Sequence, residues 1–280
     1  MISMINRKDN IFGDNIAFLE QWDFSQANTN EENRIKAITQ VASICYQSPK
    51  ALGSKTLYNR LMAESMGLPS SSFEFVPVLL DTHNIKHMEL LKPEYSNVRK
   101  FGEVIEEGRY LLTNYRAIVY DYEQNEQQYS FDIRHIYNSE EESTIIKKYF
   151  KVFLYKIDLP TRSQMVRHRV IWQELSRRYV SGKRIPFDFY ISDKMQNVTS
   201  NSYSTQQLID LCVKHYLEAI ENRVKPQEAR RIIPQAAYSQ IWGGFMPTQL
   251  ENFFKLRLDN HAQWEIRKVA EGMQDLIKNI

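Results

Sequence analysis

Between Arg167 and Tyr179 the chain sets four arginines, a histidine, a carboxylate and a hydroxyl within thirteen residues, as Arg167-His168-Arg169 and then Glu174-Leu175-Ser176-Arg177-Arg178-Tyr179. Such a set is suited to holding an anion. Guanidinium groups present planar donor forks that match phosphate oxygens two at a time, and a serine hydroxyl adds a neutral donor. Glu174 restricts the idea, because a carboxylate in a phosphate cradle must pair with an arginine or face another part of the ligand, such as the N–H groups of a base or sugar hydroxyls. A ligand with a phosphate at one end and a hydrogen-bonding head at the other is a nucleotide. The plainer role for these charges is a solvated face, or arginines set against the negative end of a helix dipole. The spacing from the Arg-His-Arg triplet to the Glu-x-Ser-x-Arg-Tyr element favours the ligand.

The surrounding composition is that of an ordinary soluble protein. With 280 residues and 42% hydrophobic content, the chain can bury a sizeable core as one large domain or two modest ones. A formal charge of +2 is too small for bulk nucleic-acid or membrane binding, so neither partner is expected, and the basic character is local, from about Arg162 to Arg184. The two cysteines, Cys45 and Cys212, have no CxxC pairing or zinc spacing, so no metal is expected. Cys212 falls on the apolar side of a helical pattern with Leu208, Leu211 and Ile220, which predicts core packing. No apolar run approaches a membrane span and the first residues lack a signal-peptide core, which makes the cytoplasm the expected address. No GxGxxG occurs, and Gly53-Ser54-Lys55-Thr56 has Ser48 where a P-loop needs glycine. Any dinucleotide must therefore be held by side chains and helix ends.

The elements that would position these residues follow from periodicity. Ile35, Ile38, Val41, Ala42 and Cys45 predict a helix over 31–46, and a second is expected from Thr56 to Ser65. The stretch from Gly67 to Ser72 breaks the pattern, and Phe73 to Val76 reads as extended. The segment from about Val76 to Tyr149 mixes an apolar part with an acidic one, Glu123 to Glu142, and is too long to be one structureless loop. Within it, Arg109 to Val119 reads as strand or turn leading into helix, and Asn138 to Ser143 as exposed turn. Phe150 to Ile157 alternates as a strand, after which Pro160 opens a helix running up to the Arg-His-Arg triplet. The last third reads as helical. One helix covers 205–222, Pro226 starts another that Pro234 interrupts, Thr248-x-x-Glu251 is a capping box, and Asn260-x-x-Gln263 starts the last.

Together, Arg167-His-Arg169, Glu174-x-Ser176-x-Arg178-Tyr179, Ala229-Arg230-x-x-x-Pro234 and Asn252-Phe-x-x-Leu-Arg257-x-x-x-His261-Ala-Gln-Trp-Glu-Ile266 resemble the flavin-dependent thymidylate synthases. The motifs cover Tyr149 to Ile280 strongly and Ile38 to Glu74 weakly. The resemblance implies an α+β fold of mixed helices around an antiparallel sheet, as a single domain over 1–280 with an insertion of about 70 residues at 76–149. It implies an FAD enzyme that converts dUMP to dTMP, with methylenetetrahydrofolate and NADPH as co-substrates, working as a homotetramer with active sites where subunits meet.

Carried over position by position, the family places Cys45, Ser71, Glu74, Arg167, His168, Arg169, Glu174 and Asn252 at FAD. It places Gln164, Arg167, Glu174, Leu175, Ser176, Arg177, Arg178, Arg230 and Arg257 at dUMP. Arg178 and Arg230 suit the phosphate, to which Ser176 and the backbone at Arg177 can donate. Arg257 is the expected catalytic residue, since a fixed guanidinium beside the pyrimidine edge stabilises an anionic ring and so activates C5. His261 and Trp264 are expected to pack or cap, and Tyr179 and Tyr238 can be core.

Three departures from the family pattern stand out. Six residues separate Arg169 from Ser176 where relatives usually have seven, which leaves Trp172 and Gln173 unplaced. Pro69 and Phe75 stand where histidines are common, and Met246-Pro-Thr248 replaces an Asn-x-Arg setting. An Asn-x-Arg element does occur at Asn114-Tyr-Arg116, which suggests that the insertion folds back to supply the missing flavin contact. Two rivals stay open: a non-catalytic nucleotide- or RNA-binding relative, and a flavoenzyme acting on another pyrimidine nucleotide.

Overall fold

The computed structural model describes residues 2–64, 68–93, 95–124, 132–200 and 202–278. Ser65 and Gly67, at the expected end of the second helix and the break after it, and 125–131 of the acidic segment lie outside the described residues.

Strands β1 (Ser3–Asp9) and β2 (Phe18–Asp23) lead into α1 (Glu31–Tyr46), whose first turn is closed by the Asn30 side chain accepting from Asn33 N. After α2 (Lys55–Met62) come β3 (Pro77–Asp81), α3 (Ile85–Leu90), α4 (Ser96–Lys100) and β4 (Glu103–Ile105). The same segment continues through β5 (Tyr110–Asn114), α5 (Tyr115–Gln124) and α6 (Glu140–Tyr149). The arginine-rich region is framed by β6 (Lys151–Asp158), α7 (Leu159–Met165) and β7 (Ile171–Glu174). Next are α8 (Asp193–Gln196), β8 (Thr199–Ser200), β9 (Tyr203–Ser204), α9 (Thr205–Glu221) and α10 (Pro226–Ala229). The chain ends with β10 (Tyr238–Phe245), α11 (Pro247–Arg257) and α12 (Trp264–Lys278).

Five strands form an antiparallel sheet in the order β1-β2-β6-β10-β7, and a smaller antiparallel sheet has the order β3-β5-β4. In β6 successive side chains point to opposite faces. Phe153, Tyr155 and Ile157 join Ile266, Val269 and Met273 of α12 in one apolar cluster, whereas Val152 and Leu154 join Ile38 and Val41 of α1 in the other. Both faces of the sheet are thus covered, which is why β6 reads as a nearly continuous apolar run. The second cluster also contains Leu79, Leu112 and Ile118, so residues 77–149 share a core with α1 and the large sheet. Arg34, 1% exposed, strengthens that joint: it donates to Asn28 Oδ1 at 2.8 Å and to the Ile136 carbonyl at 2.7 Å, and lies 3.8 Å from the Tyr115 ring centre.

Several sequence expectations need correction. Phe73 to Val76 is not extended; a 3-10 turn spans Ser71–Phe75. Asn138 to Ser143 is not an exposed turn, because Ser139 and Glu142 form the capping box of α6 and the buried Asn138 amide pairs with Leu79 N and the Pro77 carbonyl of β3. The last third is not all helical, since Tyr238 to Phe245 is a central strand. Pro247 occupies the first turn of α11, so Gln249 Oε1 takes Met246 N, and Thr248 donates to Glu103 of β4 instead of capping. Cys212 is only half-buried, and its neighbours Leu208 and Leu211 are 41% and 48% exposed. Tyr238 is core but Tyr179 is exposed. His261 does not pack, its side chain being exposed in a turn with Asp259, whereas Trp264 does pack as expected, partly exposed, against Phe12.

Candidate functional site

Strand β6 delivers the chain to α7, which Pro160 starts in its first turn, and α7 ends in a tight turn where His168 N donates to the Met165 carbonyl at 3.0 Å. This turn splits the Arg-His-Arg triplet. Arg167 and Arg169 face outward, while His168 is 7% exposed with its ring edge-on to Phe253 of α11 at 4.9 Å. From the last turn of α11, Arg257 donates through Nε to His168 Nε2 at 2.7 Å and through Nη2 to the Gln164 carbonyl at 3.1 Å. An imidazole nitrogen that accepts from a guanidinium carries no proton, so the ring is neutral with its proton on Nδ1. Burial, and then the Arg257 charge, hold the His168 pKa down to about 4. Burial and the neighbouring Arg167 charge also lower Arg257 from its ordinary value. Around these groups lies a cavity of about 390 Å³ lined by Arg167, His168, Arg169, Gln249, Asn252 and Arg257.

A second group gathers along β7. Glu174 is held by Arg162 through two hydrogen bonds of 2.5 Å, so it pairs with an arginine outside the expected cradle. Leu175 N donates to the Gln240 carbonyl at 2.9 Å, and Ser176 N to the Cys45 carbonyl at 3.2 Å. Gln173, unplaced by the motif, bridges two expected flavin positions: it accepts from Ser71 Oγ and donates to Cys45 Sγ at 2.7 Å. Burial pushes the Cys45 thiol up to about 11, which keeps it protonated at neutral pH. Neither Gln173 nor Arg162 was legible as a site residue; strand alternation placing Gln173 opposite Trp172 was the one available signal.

The remaining arginines divide. Arg177 donates to the carbonyls of Ile185 at 2.6 Å and Pro186 at 3.1 Å and lies 4.2 Å from the Phe187 ring centre, so its side chain organises the following loop. Arg178 is exposed and reaches Gln227 Oε1 of α10 at 3.3 Å, while Arg230, also exposed, follows directly after α10. Among the described residues neither Arg178 nor Arg230 lines the Arg257 cavity. Gln164 donates through Nε2 to Gln263 at 2.6 Å. Glu74 pairs with Arg116 of α5, which also donates to the Pro69 carbonyl at 2.9 Å. Asn114, buried, caps α5 by accepting from Ala117 N at 2.9 Å. The 76–149 segment therefore does reach Glu74, through Arg116.

Among the described residues no group of three or more His, Cys, Asp or Glu side chains could hold a metal ion, and no helix is long and apolar enough to cross a membrane. A family model described as "Thymidylate synthase complementing protein" matches residues 106–280, more than half of the chain. Among curated proteins, the flavin-dependent thymidylate synthase of Thermotoga neapolitana is 28% identical over 146 residues, covering 45% of this chain and 62% of the relative. That of Thermosipho africanus is 31% identical over 147 residues, covering 45% and 63%, and that of Pyrococcus abyssi 32% over 117 residues, covering 41% and 48%. The chain spans less than two thirds of the length of these relatives.

Proposed function

This chain belongs to the thymidylate synthase complementing protein family, and from that premise we propose that it is a flavin-dependent thymidylate synthase. In this reading it methylates dUMP to dTMP, with the carbon drawn from methylenetetrahydrofolate and the reducing equivalents from NADPH through FAD. The observation that carries the reading is Arg257, fixed by a neutral His168 at the rim of a cavity flanked by Arg167 and Arg169.

The residues fit a flavin dinucleotide. Arg167 and Arg169 offer outward guanidiniums for a diphosphate, Asn252 and Gln249 offer amides around the same cavity, and Ser71, Glu74 and Cys45 complete the flavin side. The bound flavin supplies the redox chemistry. The chain's part is electrostatic: Arg257 beside the pyrimidine edge stabilises negative charge in the ring, which makes C5 nucleophilic. Cys45, buried and protonated, is poorly suited to attack the base. Gln164, Glu174, Leu175, Ser176, the Arg177 backbone, Arg178 and Arg230 hold the nucleotide.

The same reading makes the chain one domain, with 76–149 as its insertion, acting in the cytoplasm, where two free cysteines suit a reducing compartment. It assembles as a homotetramer. Arg178 and Arg230 are exposed and do not line the Arg257 cavity, which agrees with a site that neighbouring subunits complete. Purified protein is expected to carry a flavin absorption band that bleaches with NADPH and dUMP, to release dTMP, and to rescue thymidine-requiring cells. A colourless protein that binds nucleotides with steep salt dependence, or a different methylated or hydroxymethylated product, refutes it.

A further inference from the structure

The loop between β1 and β2 and the first turns of α8 and α12 frame a half-open cavity of about 460 Å³ that shares no lining residue with the Arg257 cavity. One wall is aromatic: the Phe12 ring centre lies 5.2 Å from that of Tyr190 and 6.2 Å from that of Trp264. Asp14, Asp193 and Glu265 stand around this wall, and Lys194 is the one cation among the lining residues. The donors that the three carboxylates receive are neutral. Asp14 accepts from Ile16 N, Ala17 N and the Tyr238 hydroxyl, Asp193 Oδ1 from Gln196 at 3.4 Å, and Glu265 Oε2 from Gln263 at 2.9 Å. Among the described residues Asp193 Oδ2 and Glu265 Oε1 take no donor. Behind the lining, Asp158 is 4% exposed and its Oδ1 has no hydrogen-bond partner among the described residues, although its charge acts on both Tyr190 and Glu265. Burial, and then the charges of Glu265, Asp158, Asp14 and Asp193, push the Tyr190 hydroxyl up to about 12, so the wall lies in a negative field.

An acidic rim over aromatic faces suits a cation that also carries apolar surface. A bare metal ion does not match, because among the described residues no group of three or more His, Cys, Asp or Glu side chains could hold one; the negative charge sits at separated points. A quaternary ammonium does not match either, since the open carboxylate oxygens require N–H donors that it lacks. Several ammonium groups joined by methylenes satisfy both conditions, the charges reaching separate carboxylates while the chain covers the rings. We propose that this cavity binds an aliphatic polyamine, with its ammonium groups on Asp14, Asp193 and Glu265 and its methylenes along Phe12, Tyr190 and Trp264. The site is independent of the synthase reading, because none of these residues belongs to the expected flavin or nucleotide positions.

The test is calorimetric titration of the purified protein with spermidine at fixed ionic strength, with butylamine as the singly charged comparison and Mg²⁺ as competitor. The native chain is compared with Trp264→Leu, Asp193→Asn and Glu141→Gln, the last removing an exposed carboxylate of α6 outside the cavity. Saturable spermidine binding is expected, at least tenfold tighter than that of butylamine and not displaced by Mg²⁺ at equal charge. It should weaken about threefold or more in Trp264→Leu and in Asp193→Asn, and not in Glu141→Gln. Asp193 is exposed, so that variant should fold with unchanged dichroism even if Trp264→Leu does not. Absence of saturable binding, displacement by Mg²⁺, unaltered affinity in folded Asp193→Asn, or an equal loss in Glu141→Gln overturns the proposal. Spermidine binding needs neither flavin nor turnover, so a chain that makes no dTMP leaves this site standing, and one that makes dTMP without binding spermidine refutes the site alone.

Discussion

His168 and Arg257 share one hydrogen bond, and each limits what the other can do. The histidine must stay neutral to accept it, and the guanidinium, once held, cannot swing away from the cavity. The folded-state value near 4 lies below the ordinary 6.5, so between those values the unfolded chain binds a proton that the folded chain refuses. Stability therefore falls as pH drops through that window and levels off below it. Urea midpoints between pH 6.5 and 5 should show this fall in the native chain and a smaller one in His168→Gln, whose amide oxygen still accepts but does not titrate; equal slopes would remove His168 as the source. Arg257→Ala is expected to keep its flavin band while turnover drops about a hundredfold or more, the scale of losing one preorganised electrostatic contact. Normal turnover in that variant would dismiss Arg257 as the catalytic group.

At the level of elements, the position of the site depends on how closely β7 approaches β10. Gly243 pairs with Trp172, and a Cβ there would meet the indole at 2.6 Å and the Tyr155 ring at 3.1 Å. The same indole donates to the His168 carbonyl at 3.0 Å, so the glycine lets β7 sit where it supports the histidine turn. Gly243→Ala should cost about 1–3 kcal/mol in urea unfolding, the range for overpacking a filled core, and should weaken flavin retention. A variant as stable as the native chain would mean that β7 yields freely. The 76–149 segment holds α11 from the other side, where Glu103 Oε2 accepts from Thr248 Oγ1 at 2.8 Å.

Across the whole molecule, α9 is the long helix whose apolar residues are in part left uncovered, burying only Ile209 and Tyr216. Leu208 and Leu211 repeat at helical spacing and are both substantially exposed, which suits a helix that packs against another copy of the chain. If the proposed homotetramer forms through this stripe, Leu211→Glu should lower the mass measured by light scattering and reduce activity while leaving the far-ultraviolet dichroism intact. An unchanged mass would place the interface elsewhere.

Local patterns in the chain determined α1, β6, α7 and the strand-to-helix passage from β5 to α5, because each buries a face whose periodicity is written in adjacent residues. They also determined the arginine, histidine and carboxylate set with its spacing. Tertiary structure decided β10, in a stretch that reads as helical and whose Gly243-Gly244 leaves room for the flanking strands, and it turned Asn138 from a turn residue into the partner of the β3 edge. It also decided which arginine neutralises Glu174, that Gln173 links Ser71 to Cys45, and that Arg116 reaches Glu74. These contacts join residues far apart along the chain, so their energies depend on distances that no local pattern encodes.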